Sequence, residues 1–176
     1  MRKKSSPIQA KSPRRDEAGL TSKELDEILS WRPPKRKPRI YADVDVPRYI
    51  IEYARYKLKW DVIWVNENSQ LVEQHDYFHF NKARQLKRIL LSFDEGFLSD
   101  KRFKLHETEG LIVFSSPSKS KLDNLVILLR VNEFLINVLR RNSRAMKGIK
   151  IKATTKGLTF RMLSKNSKKI CRFIPW

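Results

Sequence analysis

The sequence predicts an α/β fold with a small, mainly parallel sheet flanked by helices and a C-terminal β-hairpin. Short β-branched and aromatic runs alternate with amphipathic helical segments between residues 39 and 141, which is typical of a parallel sheet built from βαβ units. One of these runs, residues 88–93, is apolar almost throughout, as expected for a strand buried on both faces. Residues 149–162 alternate apolar with polar or basic residues around Lys156-Gly157, which predicts a hairpin with a basic outer face.

The individual elements follow from local patterns along the chain. Pro47 suits the first turn of a helix, and the carboxylate of Asp76 favours the positive end of another. Residues 66–74 are polar and are predicted to form a loop. The predicted strands cover residues 39–43, 60–65, 88–93 and 110–114, and the predicted helices begin at Pro47, at Asp76 (to 87) and at Leu122 (to 141).

Composition divides the chain into a basic tail (1–38), a core (39–145) and a basic β-hairpin extension (146–176). The net charge is +19, and it is uneven: 12 Lys/Arg against 5 Asp/Glu in residues 1–40, 11 against 12 in residues 41–114, and 15 against 2 in residues 115–176. The tail carries most of the prolines and is predicted to be mostly disordered. Thr21 and Glu24 form a capping-box pattern that predicts one short helix within it.

Several classes of protein are disfavoured by composition. The longest apolar runs are too short to cross a bilayer, and no apolar stretch of a secretory signal follows the basic start. The single cysteine, Cys171, excludes an intrachain disulfide, and one Cys with three His disfavours a structural zinc site. We therefore expect a cytoplasmic protein without membrane contact. The oligomeric state stays open.

The basic flanks point to a polyanionic partner, with RNA or another nucleic acid favoured, because Lys and Arg release condensed counterions from phosphates. The alternatives are a generally basic, solvated surface, or contact with a ribosome or membrane surface. The densest basic run begins at the end of the long helix and provides the candidate nucleic-acid-binding residues Arg140, Arg141, Arg144, Lys147, Lys150 and Lys152.

Acidic residues gather where predicted strands end. Asp43 and Asp45 follow the first strand, and Asp94 and Glu95 follow the third. Asp76 begins the helix that leads into that third strand. If the first and third strands are neighbours, these carboxylates converge at one edge of the sheet, where α/β proteins bind ligands. Such a cluster would hold Mg²⁺ or Mn²⁺, although each Asp alone is more often a turn or capping residue.

Three segments resemble the PIN-like family of predicted nucleases associated with bacterial toxin–antitoxin systems. These segments are IYADVDVP, HDYFHFNKARQLKRILLSFDEGF and GLIVF, and the resemblance covers roughly residues 39–162. It implies a PIN-like three-layer fold and a metal-dependent nuclease activity. It also implies a possible antitoxin protein as partner.

The resemblance assigns roles to particular residues. Asp43 matches the family's first acid, Asp45 falls near its second acidic position, and Asp76 matches the helix-start acid. Ser92 and Asp94 match the start of its Ser/Thr-x-Asp-x-Asp-Phe motif, and Gly96 stands where that motif has its last Asp. The implied catalytic residues are Asp43, Asp76 and Asp94, with Asp45 and Glu95 as further metal ligands.

Three functions compete on the sequence. The first is a metal-dependent endoribonuclease, a hydrolase that would act as the toxin of a toxin–antitoxin pair. The second is a catalytically degenerate PIN-like protein that binds nucleic acid without cleaving it, which Gly96 favours. The third is an adaptor that docks a partner through residues 20–29.

Overall fold

A seven-stranded sheet organises the part of the chain that the computed structural model describes, which comprises residues 37–116, 120–164 and 166–176. The strands in chain order are β1 Arg39–Ala42, β2 Asp61–Trp64, β3 Ile89–Ser92, β4 Leu111–Phe114, β5 Ile149–Thr154, β6 Gly157–Leu163 and β7 Lys169–Pro175. Their order in the sheet is β2-β1-β3-β4-β5-β6-β7. The pairs from β2 to β5 are parallel, and β6 and β7 are added antiparallel. The fold is therefore mixed α/β with a mostly parallel sheet.

Within the described residues, four α-helices and several short helical turns connect the strands. The α-helices are α1 Arg48–Glu52, α2 Ser69–Val72, α3 Asp76–Gln85 and α4 Lys121–Arg141, and α1 continues as a π-helical segment, Tyr53–Lys57. The 3-10 turns are Val65–Glu67, Glu95–Leu98 and Leu105–Glu107. Among the described residues, no helix is long and apolar enough to cross a membrane.

Helices cover both faces of the sheet because successive strand residues point to opposite sides. On one face, Leu91 of β3 belongs to the cluster formed with Ile51 of α1 and Leu128 of α4. On the other face, Tyr41 of β1 belongs to a second cluster with Phe80 of α3. Since both faces are covered, the central strands β3 and β4 are buried at every position, as the apolar run 88–93 predicts.

Most predicted elements are present, and the differences have local causes. The predicted loop 66–74 contains the short helix α2, whose start is capped when the side chain of Asn68 accepts a hydrogen bond from the backbone N–H of Gln70. Strand β7 was not predicted, because all seven of its residues are exposed and give no alternation of buried and exposed positions. The capping-box segment 20–29 lies outside the described residues.

The predicted basic outer face of the hairpin is wrong at Lys150. This side chain is fully buried, with 0% exposed surface. Its ammonium group donates hydrogen bonds to the carbonyl oxygens of Ser99 and Phe103 and to the carboxylate of Asp100. The loop after β3 covers this face of β5. The alternation of apolar and basic residues predicts that one face of the hairpin is buried, but it cannot show that the other face is covered too. Lys150 is therefore not accessible to a nucleic acid in this structure.

Candidate active site

The candidate site lies at the carboxyl ends of β1 and β3, which are parallel neighbours. The chain leaves β1 to form β2 on one side of it and returns to form β3 on the other side. The connections diverge at such a point and leave a crevice where open α/β sheets bind ligands. Asp43 and Asp45 follow β1, and Asp94 follows Ser92, the last residue of β3. The prediction that these residues lie at one edge required β1 and β3 to be neighbours, and they are.

Ser92 joins two carboxylates at the base of this crevice. Its hydroxyl oxygen lies 2.9 Å from Oδ2 of Asp45 and 3.2 Å from Oδ2 of Asp43. A hydroxyl has one proton and can donate to only one of these oxygens at a time. When both carboxylates are ionised, one of the two Oδ2 atoms therefore receives no hydrogen bond from Ser92. A further proton or a cation would be needed to satisfy that oxygen.

Asp43 is the carboxylate with fewer hydrogen-bond partners. Asp45 also accepts a hydrogen bond from the backbone N–H of Phe93 at 2.9 Å, whereas Oδ1 of Asp43 is buried and has no hydrogen-bond partner among the described residues. Asp43 as a whole is only 4% exposed. A buried carboxylate oxygen without a partner is costly in free energy, so it marks a place where a proton or a cation would be stabilised.

Both carboxyl groups have raised pKa values. Burial is the main cause at Asp43. The backbone N–H of Val44 is the largest opposing influence, followed by His79 and Ser92, and the nearby carboxylate of Asp76 raises the pKa of Asp43 further. Asp45 lies at the exposed rim, yet burial of its inner side, together with the charge of Asp43, raises its pKa to about 6. Both shifts disfavour the state in which the two carboxyl groups are ionised together.

Asp45 gives a pH-dependent prediction. Because its pKa in the folded protein exceeds its ordinary value of 3.8, its contribution to stability is fully present below that value and is lost as the pH rises through about 6. We expect the free energy of unfolding of the wild type, relative to that of Asp45→Asn, to fall between about pH 4 and about pH 6. Urea denaturation at both pH values would test this, and parallel pH profiles for the two proteins would contradict it.

The other predicted acids have partners of their own. Asp76 begins α3 as expected and forms an ion pair with Arg102 at 2.8 Å. Asp94 accepts a hydrogen bond from the backbone N–H of Gly96 at 2.7 Å and thereby caps the 3-10 turn that follows β3. Glu95 forms an ion pair with Lys152 at 2.8 Å, and the hydrogen bond from Lys152 is the main reason that its pKa is lowered.

These contacts determine which of the predicted acidic residues lie together. Within residues 37–116, 120–164 and 166–176, no three Asp, Glu, His or Cys side chains form a group that could hold a metal ion. The close pair in the structure is Asp43 and Asp45, which Ser92 connects. Convergence of the Asp76 and Asp94 carboxylates on a shared ion with Asp43 stays a prediction.

A buried polar chain that the sequence did not indicate lies beside Asp43. Nε2 of His79 is 3.1 Å from the carbonyl oxygen of Gln74, which can only accept, so Nε2 carries a proton. Nδ1 of His79 lies 3.0 Å from the hydroxyl oxygen of Tyr41, within hydrogen-bond distance. Burial, followed by the charge of Asp43, raises the pKa of Tyr41 to about 12. His75 instead caps α3, where its Nδ1 accepts from the N–H of Phe78.

The candidate nucleic-acid residues do not form one surface around the acidic pair. Helix α4 begins after β4 and returns the chain to the start of β5, so its basic end lies at the amino-terminal edge of the parallel strands, opposite Asp43. Arg140 and Arg141 are its last two residues. Arg144 and Lys147 lie in the turns that follow, and Lys147 forms an ion pair with Glu109. Of the six candidates, Lys152 lies nearest the acidic edge, through its pair with Glu95.

Comparison of this sequence and fold with known proteins identified no relative: no protein-family model, no curated protein and no solved structure matches the chain significantly.

Proposed function

We propose that this protein is a metal-dependent endoribonuclease of PIN-like type that hydrolyses phosphodiester bonds at the edge defined by Asp43 and Asp45. The main observation behind the proposal is the buried Oδ1 of Asp43, which has no hydrogen-bond partner among the described residues. It lies in a pair of carboxylates that one serine hydroxyl cannot satisfy. A divalent cation would supply the missing positive charge, and Mg²⁺ commonly takes one or two protein carboxylates while keeping several waters.

The two carboxylates connected by Ser92 match the one or two protein carboxylates that Mg²⁺ commonly takes, with water completing its coordination. Asp43 and Asp45 would hold it, with Asp94 and Asp76 as further candidates. When bound, Mg²⁺ or Mn²⁺ would polarise the scissile phosphate and activate a water. Ser92 fixes the two carboxylates relative to each other. The pKa of Asp45, about 6 without a cation, would fall when an ion binds, so that both carboxylates would be ionised as ligands.

The charge of the whole chain supports a nucleic-acid substrate. A net charge of +19 attracts a polyanion over long distances, although the acidic crevice itself would repel it without a cation. The same ion would thus make the site both catalytic and accessible to a phosphate. RNA as the substrate and an antitoxin as the partner rest on the resemblance to PIN-like proteins alone.

A binding-only function is the second candidate, and it rests on Gly96. This glycine stands where the PIN-like motif has its last Asp, and a Cβ atom there would meet both carboxylate oxygens of Asp94 at 3.0 Å. The absence of a side chain allows Asp94 to cap the following turn instead of facing a second carboxylate. Asp76 and Glu95 are also in ion pairs. In this second function the carboxylates of the edge are not catalytic, and the basic flanks alone act, by binding nucleic acid.

Cleavage assays distinguish the two functions. Wild-type protein is incubated with a mixed-sequence RNA and a single-stranded DNA, with Mg²⁺, with Mn²⁺ or with a chelator. We expect metal-dependent RNA cleavage that Asp43→Asn reduces by at least about a hundredfold, the scale seen when a group that supports a metal site is lost. Glu52→Gln is the matched control, because it removes one negative charge from an exposed position on α1.

A second readout does not depend on turnover. Mn²⁺ should raise the melting temperature of the wild type and of Glu52→Gln but not that of Asp43→Asn. Cleavage that is equally strong in Asp43→Asn would overturn the proposed site. An absence of cleavage in all proteins, together with salt-sensitive RNA binding, would favour the binding-only function.

A further inference from the structure

A second candidate site lies at the opposite edge of the sheet. A cavity of about 200 Å³ opens beside the first residues of β1 and β3 and the turns after α4. Four basic residues line it: Lys37, Arg39, Lys87 and Arg144. We refer to it as the basic cavity. Since Arg39 begins β1 and Asp43 follows its end, the basic cavity and the acidic pair are separated by the length of the strand.

Most of the positive charge in the basic cavity is not neutralised. Lys37, Lys87 and Arg144 form no ion pair with another described residue. Arg39 shares Asp61 with Arg88, and its own pair with Asp61 is long, at 3.6 Å, and exposed. Glu109 is the one carboxylate of the described chain that lines the cavity, and it is 3.6 Å from Lys147, which lies outside the lining.

Like charges that surround one cavity repel each other unless an anion lies among them. Lysine and arginine together are the usual ligands of phosphate, since arginine donates paired hydrogen bonds and lysine contributes a compact charge. The basic cavity is therefore electrostatically complementary to a phosphate group.

The backbone at Lys87 supports a role for its side chain. Lys87 follows the end of α3 in the left-handed conformation, with φ 53°. Glycine is favoured at this position after a helix, because any Cβ atom is disfavoured there. The turn is a Schellman motif, in which the N–H groups of Lys87 and Arg88 donate hydrogen bonds to the carbonyl oxygens of Arg84 and Ala83, and it fixes the backbone from which the Lys87 side chain lines the cavity.

The floor of the cavity is apolar. Ile89 and Met146 are 5% and 2% exposed, and Leu139 of α4 completes the lining on that side. An apolar surface beside a cluster of cations suits a ligand with a flat organic part attached to a phosphate. At about 200 Å³ the cavity is smaller than the roughly 300–1,000 Å³ of pockets that enclose a whole ligand, so we expect it to hold a phosphate and only part of the attached nucleoside.

We propose that the basic cavity binds the phosphate of a single nucleotide, either a free nucleotide or the 5′-terminal nucleotide of a strand. This proposal does not depend on the function proposed for the acidic edge. Lys87 and Arg144 contact the phosphate, and the floor formed by Ile89 and Met146 contacts the base or the ribose.

Calorimetric titration of the full-length chain with AMP and with adenosine tests the proposal at low salt. We expect AMP to bind at least about tenfold more tightly than adenosine, because charged hydrogen bonds form only with the phosphate. Lys87→Gly should weaken AMP binding about tenfold while raising the melting temperature, since it removes the cation and relieves the backbone. Lys59→Gly is the matched control, because Lys59 has the same backbone conformation, with φ 60°, and does not line the cavity.

The outcomes separate the alternatives. Equal affinity for AMP and adenosine, or no binding of either, would overturn the proposal. Equal weakening by Lys87→Gly and Lys59→Gly would also overturn it, because it would show a general effect of charge. A 5′-phosphorylated RNA trinucleotide that binds more tightly than AMP, with the same dependence on Lys87, would assign the cavity to a strand end. Equal affinity for the two would assign it to a free nucleotide. Asp43→Asn should bind AMP as the wild type does.

Discussion

Replacing Lys150 with methionine is expected to destabilise the folded protein by about 3 kcal/mol, at the lower end of the range for breaking a buried ion pair. The ammonium group of Lys150 is fully buried, and its three donors meet three acceptors: the carbonyls of Ser99 and Phe103 and the carboxylate of Asp100. Methionine fills a similar volume but leaves all three acceptors without this donor. The effect stays near the lower limit because Lys169 also pairs with Asp100, at 3.0 Å.

Lys152→Met provides the matched control for this prediction. Lys152 lies two residues further along β5, on the same face, and also pairs with a carboxylate, that of Glu95. Its side chain is 32% exposed and that of Glu95 is 53% exposed, so we expect a loss of no more than about 1 kcal/mol. Urea denaturation of both variants measures the difference. Similar losses in the two variants would show that burial of Lys150 does not govern its contribution.

The contacts of Lys150 also connect the sheet to the candidate active site. The loop that it anchors runs from Asp94 to Arg102 and carries the partner of Asp76. Arg161 of β6 donates a hydrogen bond to the carbonyl of Leu98 in the same loop. The strands added beyond β4 therefore hold the loop that follows β3, which gives the C-terminal extension a structural role at the acidic edge.

The sequence predicted the elements whose signals are local. An unbroken apolar run predicted β3, and a helix-start acid predicted the beginning of α3. The same reasoning failed where the outcome depends on distant segments. Nothing near Lys150 in the sequence indicates that residues 99–103 fold over it, and β7 is defined by its pairing with β6 rather than by a buried face.

The same distinction applies to the candidate site. The predicted placement of Asp43 and Asp45 near the end of β3 required only that β1 and β3 be neighbours, which they are. The partners that occupy Asp76 and Glu95 could not be predicted, because Arg102 and Lys152 are 26 and 57 residues away in the chain. Those ion pairs determine which carboxylates are available. Oδ1 of Asp43, like Oδ1 of Asn124, remains a buried acceptor without a hydrogen-bond partner among the described residues.

Asp43→Asn should therefore stabilise the metal-free protein while it abolishes the proposed activity. Burial disfavours the ionised carboxylate of Asp43 in the metal-free wild type and raises its pKa. The amide has no charge to desolvate and can still contact Ser92. We expect a gain of about 1–2 kcal/mol in the free energy of unfolding at neutral pH, which is the typical cost of an unsatisfied buried polar group.

Two changes of condition should reduce the stability advantage of Asp43→Asn, and the second should reverse it. Acidification protonates Asp43 in the folded wild type, so the advantage of the variant should shrink as the pH falls through the raised pKa. A divalent cation should stabilise the wild type but not the variant, by an amount that grows with metal concentration. Urea denaturation with Mn²⁺ or a chelator measures both trends, with Glu52→Gln as control. If Asp43→Asn is less stable than the wild type in chelator at neutral pH, Asp43 is a structural residue whose carboxylate stabilises the fold without a metal.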